Sequence, residues 1–304
     1  MSVILYNEPE LDSPDMLACW PGIGNVGLIA LDTLRTQVRA EEFGEIEPFD
    51  FFYPRKAVIK AGVLESLEFP ASKFYYKRLE GKDLIFFLGD EQPGEGGRTY
   101  AEGRKAYELA DMVLDVAQKF GCRRIYTSGA AVHISHHTSR PRVWAVTTKT
   151  SLNKEITSYQ NTTLMSEVEG MGDQGGITGL NGLLLGVAKK RGFDGICLMG
   201  EVPDYVSRAP LPFPRASKSV LEVLSSLTGA RIDYTAIDET ITKVDALMDG
   251  IFQQFPEEIR ERIEQRKSAV PAEAETISEE DEKWMKEHID ELFKSGGGGE
   301  KRSS

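Results

Sequence analysis

The sequence predicts an α/β layered fold, and three observations carry that reading. Short apolar runs rich in β-branched and aromatic residues alternate with longer segments of helical period. DLIFFL at Asp83–Leu88 is a nearly continuous apolar run, as a strand covered on both faces requires. ACWPGIGNVGL at Ala18–Leu28 joins a strand to a helix through glycines and a proline. With 304 residues and 40% hydrophobic content, the chain can bury a substantial core.

The elements follow in order. Met16 to Trp20 is a strand, and a helix from about Asn25 to Arg39 places Val26, Ile29, Ala30, Thr33, Leu34 and Val38 on one face. Between Ala40 and Leu79, GEIEPFDFFYP, KAVIKAGVL and SKFYYKRL are short strand-like pieces broken by Gly and Pro, which predicts an insertion of antiparallel hairpins. After the strand at 83–88 and the loop GDEQPGEGGR, a Thr99 to Glu102 capping box opens a helix that stops at Gly121.

RRIYTSGA and RVWAVTT read as strands, followed by a polar stretch to about Glu169. A Gly-rich turn and helix, the strand DGICLMG and a Pro-punctuated loop come next. Helices over Arg215–Leu227 and Ile237–Gln265 close a single folded unit, residues 1–267. Residues 268–294 then form an acidic linker and an amphipathic helix, capped by Ser278 and Asp281, whose Trp284, Met285, His288, Ile289, Leu292 and Phe293 make a narrow apolar stripe. That stripe suits docking on the chain's own core, on a sister subunit, or in a groove of another protein. Residues 295–304, SGGGGEKRSS, have the composition of a disordered tail.

A net charge of -12 disfavours nucleic acid and anionic membranes as partners. Three widely spaced cysteines, Cys19, Cys122 and Cys197, in apolar surroundings read as reduced core thiols. The N-terminus lacks a basic region followed by an apolar one, and no apolar run approaches the ~18 residues of a membrane span. A cytoplasmic location is expected.

Gly22, Gly24 and Gly27 have the G-x-G-x-x-G spacing of a dinucleotide site, and a helix start does offer free N–H groups to an anion. The acidic residues that follow, Glu41 and Glu42, have no buried parallel strand leading to them, so the dinucleotide reading fails. The turn is either a close-packing device or, with Asn25, one wall of a small polar pocket. His133, His136 and His137 invite a metal or catalytic reading, but without a second ligand set nearby the segment reads as a polar surface loop. Beside the turn, His133 at the start of the histidine segment and, in the second Gly-rich stretch, Gly175, Gly176 and Asn181 are further candidate ligand contacts, although the Gly-Lys-Ser/Thr ending of a P-loop is absent. With no nucleophile elbow, H-E-x-x-H helix or Cys-x-x-Cys pair, no catalytic residue, metal or cofactor is assigned.

Four stretches, taken in order, resemble the proteasome assembly chaperone 2 (PAC2) family: WPGIGNVGLIALDTL at 20–34, DLIFFLGDEQP at 83–93, GGITGLNGLLLG at 175–186 and GEVPDYVSRAPLPFPRAS at 200–217. The resemblance implies a three-layer α/β/α sandwich similar to nucleoside phosphorylases and peptidyl-tRNA hydrolases. It also implies a homo-oligomer that binds other proteins without catalysis and assists assembly of proteasome α-subunits. Some family members end in a hydrophobic-Tyr-any residue tail that docks on the α-ring, whereas this sequence ends Glu300-Lys301-Arg302-Ser303-Ser304. The alternative is a binding protein or enzyme for a nucleoside, nucleotide or phosphate on the same phosphorylase-like fold.

Overall fold

A computed structural model of the chain describes residues 2–94, 103–168 and 175–267, together with 278, 280, 281, 283–285, 287 and 288. Its strands are β1 (Val3–Leu5), β2 (Asp15–Cys19), β3 (Glu41–Ile46), β4 (Lys56–Lys60), β5 (Val63–Glu68), β6 (Ser72–Leu79), β7 (Lys82–Gly89), β8 (Arg124–His133), β9 (Val143–Thr147), β10 (Thr162–Leu164) and β11 (Asp194–Pro203). The helices are α1 (Val26–Gln37), α2 (Gly103–Lys119), α3 (Asn153–Ile156), α4 (Gly179–Lys190), α5 (Pro214–Thr228), α6 (Thr235–Phe252) and α7 (Glu257–Gln265).

Nine strands form one mixed sheet in the order β1-β3-β6-β7-β2-β8-β11-β9-β10, and β4 with β5 makes a separate hairpin. The centre, β7-β2-β8-β11, is parallel, with β8 and β11 in register from Arg124 opposite Asp194 to His133 opposite Pro203. Antiparallel pairing flanks it on both sides, through β6 and β3 on one edge and β9 on the other. The segment after α1 therefore enters an antiparallel edge, so Glu41 and Glu42 lie on no buried parallel strand of the kind a dinucleotide site uses.

β2 shows why the central strands read as unbroken apolar runs. Leu17 and Cys19 face one core, with α1, α5, α6 and α7, while Met16, Ala18 and Trp20 face the other, with α2 and α4. Alternate side chains leave a strand on opposite faces, so helices on both sides demand apolar residues at every position. Burying Leu31 and Leu34 of α1 against this sheet contributes about 2 kcal/mol each.

The C-terminal helices depart from the expected pattern. Residues 237–265 form α6 and α7 rather than one helix, because Pro256 has no N–H to continue the ladder and instead caps α7 with φ -51°. Phe255, just before the break, turns inward and is 5% exposed. The polar stretch before Glu169 contains α3 and β10, and β1 adds a short edge strand that the sequence pattern did not show.

Ser278 Oγ accepts from the Asp281 N–H at 3.1 Å, and the Asp281 carboxylate accepts from the Ser278 N–H at 3.3 Å. This reciprocal cap precedes helical residues whose contacts run to α7 and the turn before it: Asp281 pairs with Arg262, Trp284 packs edge-on against Phe255, and Met285 is buried. The Thr99–Glu102 capping box, the acidic residues 268–277, Ile289, Leu292, Phe293 and the tail 295–304 lie outside the described residues. Among the described residues no helix is long and apolar enough to cross a membrane.

Candidate functional site

The parallel strands end at one edge of the sheet, and the motif-bearing loops leave from that edge. β2 runs into the Gly22–Gly27 turn, β7 into the loop with Gln92, β8 into the histidine segment, and β11 into the Pro-rich loop. In open α/β sheets this is where ligands are received.

A cavity of about 280 Å³ opens there. Gly22 and Ile23 form one wall, residues 129–132 of β8 the floor, and Gly176, Ile177, Thr178 and Asn181 the opposite wall. Trp144, Met165 and Met199 close the side. The two Gly-rich stretches thus converge, which neither shows alone. Among the described lining residues there is no carboxylate, cation, imidazole or thiol.

Its amide side chains are engaged by main chain. Asn181 Oδ1 accepts from the Trp20 N–H at 3.1 Å, and its Nδ2 donates to the Trp20 carbonyl at 3.3 Å. Gln92 Nε2 donates to the Pro21 carbonyl at 2.6 Å, while its Oε1 accepts from the Leu180 N–H at 3.0 Å. Two amides therefore stitch the end of β2 to the first turn of α4. Each satisfies main-chain groups of the turn or of the helix start, buried at Trp20 and part-buried at Pro21 and Leu180.

Gly24 and Gly27 make close contacts outside the lining of this cavity. Gly24 has φ +57°, and a Cβ there would stand 2.8 Å from Phe213 Cβ. A Cβ on Gly27 would lie 2.6 Å from the Ser128 carbonyl, so only glycine lets α1 approach β8 this closely. Asn25, with φ 50°, lines a separate cavity of about 290 Å³ with Asp32, Lys73, Tyr75 and Asp90. Gly175 abuts Met165.

The histidines correct the surface-loop expectation. His136 and His137 are 2% and 1% exposed, with ring centroids 4.1 Å apart, clamped between the post-β8 loop and α6 and α7. The Tyr205 hydroxyl accepts from the His137 main-chain N–H at 2.8 Å and meets its Nδ1 at 2.6 Å; Nε2 faces Asp249 at 3.0 Å. His136 Nδ1 accepts from the Thr138 N–H at 3.2 Å, and its buried Nε2 has no hydrogen-bond partner among the described residues. Burial, then the adjacent His137, lowers the His136 pKa to about 4. Polar letters beside a proline concealed this, because the covering residues Tyr205 and Phe252 are distant in sequence. His133 packs its ring edge against Trp144, 5.4 Å between centroids, with Glu201 at 3.9 Å.

Glu201 itself escaped sequence reading. It is 5% exposed near the end of β11 and accepts from Arg142 Nε at 2.8 Å, the Arg142 N–H at 2.9 Å and Trp144 Nε1 at 2.6 Å. An acid inside GEVPDY gave the only signal. Its carboxylate orients Trp144, a wall of the cavity. The thiols are inert by environment: burial raises the pKa of Cys19 and Cys122, and that of Cys197 to about 11.

Comparison with known proteins places these features. An uncharacterized protein of Methanocaldococcus jannaschii is 29% identical over 239 residues, 79% of this chain and 83% of the relative. The structure is similar to Pyrococcus furiosus PbaB, an archaeal proteasome activator, with TM-score 0.67, 29% identity, and coverage of 82% of this chain and 97% of that one. It also resembles P. furiosus PbaA, an archaeal homologue of proteasome-assembly chaperone, with TM-score 0.60, 21% identity, and coverage of 88% and 97%, which bears on the fold alone. The sequence model of the PAC2 family matches residues 16–251, a span holding all four motif stretches and the cavity that the first three of them help to line, and the chain belongs to the PAC2 family.

Proposed function

We propose that this chain is a noncatalytic, homo-oligomeric, cytoplasmic factor of the proteasome-assembly-chaperone type, which binds proteasome α-subunits or related complexes. The observation that carries it is the kinship to PbaB along nearly the whole of that protein. The cavity agrees with a binding role: its amides are engaged by backbone, and the described lining holds no acid or base. Gly22, Gly176 and Asn181, which share it, are the proposed ligand contacts. A partner's apolar side chain suits this space better than a phosphorylated ligand, since no cation lines it among the described residues. We also infer the phosphorylase/hydrolase type of α/β/α sandwich, supported by helices on both faces of the sheet.

Purification of the tagged chain from its native host tests the main reading. Recovery of α-type proteasome subunits is expected, and their absence from the eluate overturns it.

A further inference from the structure

In the sheet, β8 outruns β2. The last residue of β2 paired with β8 is Ala18, opposite Thr127, whereas β8 continues beside β11 to His133. The chain after β2 turns away: the Trp20 N–H goes to Asn181 Oδ1 at 3.1 Å, and the Cys19 thiol takes the Ser128 carbonyl at 3.4 Å. Residues 129–132 of β8, the floor of the cavity, therefore have no strand on their β2 side.

Which main-chain groups face that side follows from the ladder. Glu201 donates its N–H to the Arg142 carbonyl at 3.0 Å, and the Gly195 carbonyl accepts from the Thr148 N–H at 2.9 Å. Odd-numbered residues of β11 thus point their main chain toward β9, and even-numbered ones toward β8. Because Leu198 lies opposite Ser128 in the parallel pairing, the odd residues of β8 bond to β11 and the even ones face β2. The Cys19 thiol on the Ser128 carbonyl agrees with that assignment. Ala130 and Val132 accordingly turn their N–H and C=O groups to the open edge, where no main-chain group of the described residues pairs with them.

Donors and acceptors alternating at strand spacing are matched in full by another extended main chain, which is why an open strand edge is a template for pairing. Ile23, Met165 and Ile177 offer apolar contact to the side chains of such a strand, and no charged group lines the cavity among the described residues. Gly129 keeps the approach clear, since a Cβ there would meet no atom within 4 Å. We infer that the open edge of β8 at Ala130 and Val132 takes an extended, uncharged, apolar segment of a partner polypeptide as an added strand. The inference rests on the binding role proposed above for this cavity, and it makes the partner's main chain, with its side chains, the thing recognised.

The test uses the purified full chain and an uncharged probe, the peptide acetyl-Gly-Val-Ile-Thr-Gly-amide, with amide hydrogen exchange read residue by residue. In the free chain the Ala130 and Val132 amides are expected to exchange at least about tenfold faster than those of Gly129 and Ala131, which bond to β11. Saturating peptide is expected to slow Ala130 and Val132 by at least about tenfold. The same peptide N-methylated at its valine, isoleucine and threonine, adenosine, and inorganic phosphate are each expected to leave them unchanged. Gly129→Val, which fills the approach to the edge, is expected to weaken peptide binding at least about tenfold with unchanged circular dichroism. The N-methyl comparison needs no variant and stands even if this one fails to fold. Amides that the peptide does not slow, equal slowing by the N-methylated peptide, slowing by adenosine or phosphate, or a folded Gly129→Val that binds as well as the natural chain overturns the inference. Slow exchange in the free chain that dilution relieves assigns the edge to a second copy, and likewise overturns it. Recovery of α-subunits from the host without protection by the peptide leaves the proposed function in place and overturns this inference alone.

Discussion

Phe213 donates its main-chain N–H to the Gly24 carbonyl at 2.8 Å, and its Cβ occupies the space that a side chain on residue 24 would need. The contact joins the turn after β2 to the start of α5, two family motifs 189 residues apart in number and adjacent in space. Gly24→Ala is expected to cost about 2–4 kcal/mol, from left-handed backbone strain and overpacking together. Gly22→Ala, where the backbone is extended and no atom lies within 4 Å, is expected to cost under ~0.5 kcal/mol. Urea unfolding of the two variants checks the contrast, and equal losses would contradict it.

Asn181→Leu keeps the branched shape but removes both hydrogen bonds to Trp20, leaving its buried N–H unpaired and its carbonyl with only the Cys19 thiol. A loss of about 2–4 kcal/mol is expected in chemical denaturation. A variant as stable as the natural chain would mean that the amide pair contributes nothing.

His136 sets an acid limit. The unfolded chain takes up this proton near pH ~6.5, but the folded chain only near about 4, because burial and His137 oppose the imidazolium. Between those values the unfolded state binds more protons, so stability is full above the upper one and declines as pH falls. The decline reaches at most about 3 kcal/mol and ends below the lower value. Unfolding free energies measured across this window should fall less steeply for His136→Gln; an unchanged slope would exclude the histidine as its source.

Glu201→Gln removes the charge that Arg142 and Trp144 Nε1 donate to. It is expected to destabilise by about 2–3 kcal/mol and to shift Trp144 fluorescence. Fluorescence and denaturation identical to the natural protein would refute the positioning role of this carboxylate.

The central fold was legible because β2, β7 and β11 are buried on both faces, and double burial writes an apolar run into the sequence. β1 and β10, three residues each, are too short to carry a period. The break at Pro256 was obscured because apolar spacing resumes beyond it at Ile259 and Ile263. At the site, the glycines were visible as letters, whereas their division of labour was not. Gly24 and Gly27 are set apart from Gly22 by the left-handed backbone at Gly24 and by Phe213 and Ser128, neighbours that a linear reading does not supply. The buried histidine pair was missed for the same reason.

The placement of β2 between β7 and β8 has a consequence for synthesis. Cys19 lies against Ser128, 109 residues further along the chain. At about 5–20 residues per second, the nascent strand waits roughly 5–20 s on the ribosome before its β8 partner is made. Throughout that interval the β8-facing edge of this apolar strand has no partner, even once β7 is made, so a member of a chaperone family has its own most vulnerable moment before its core can close.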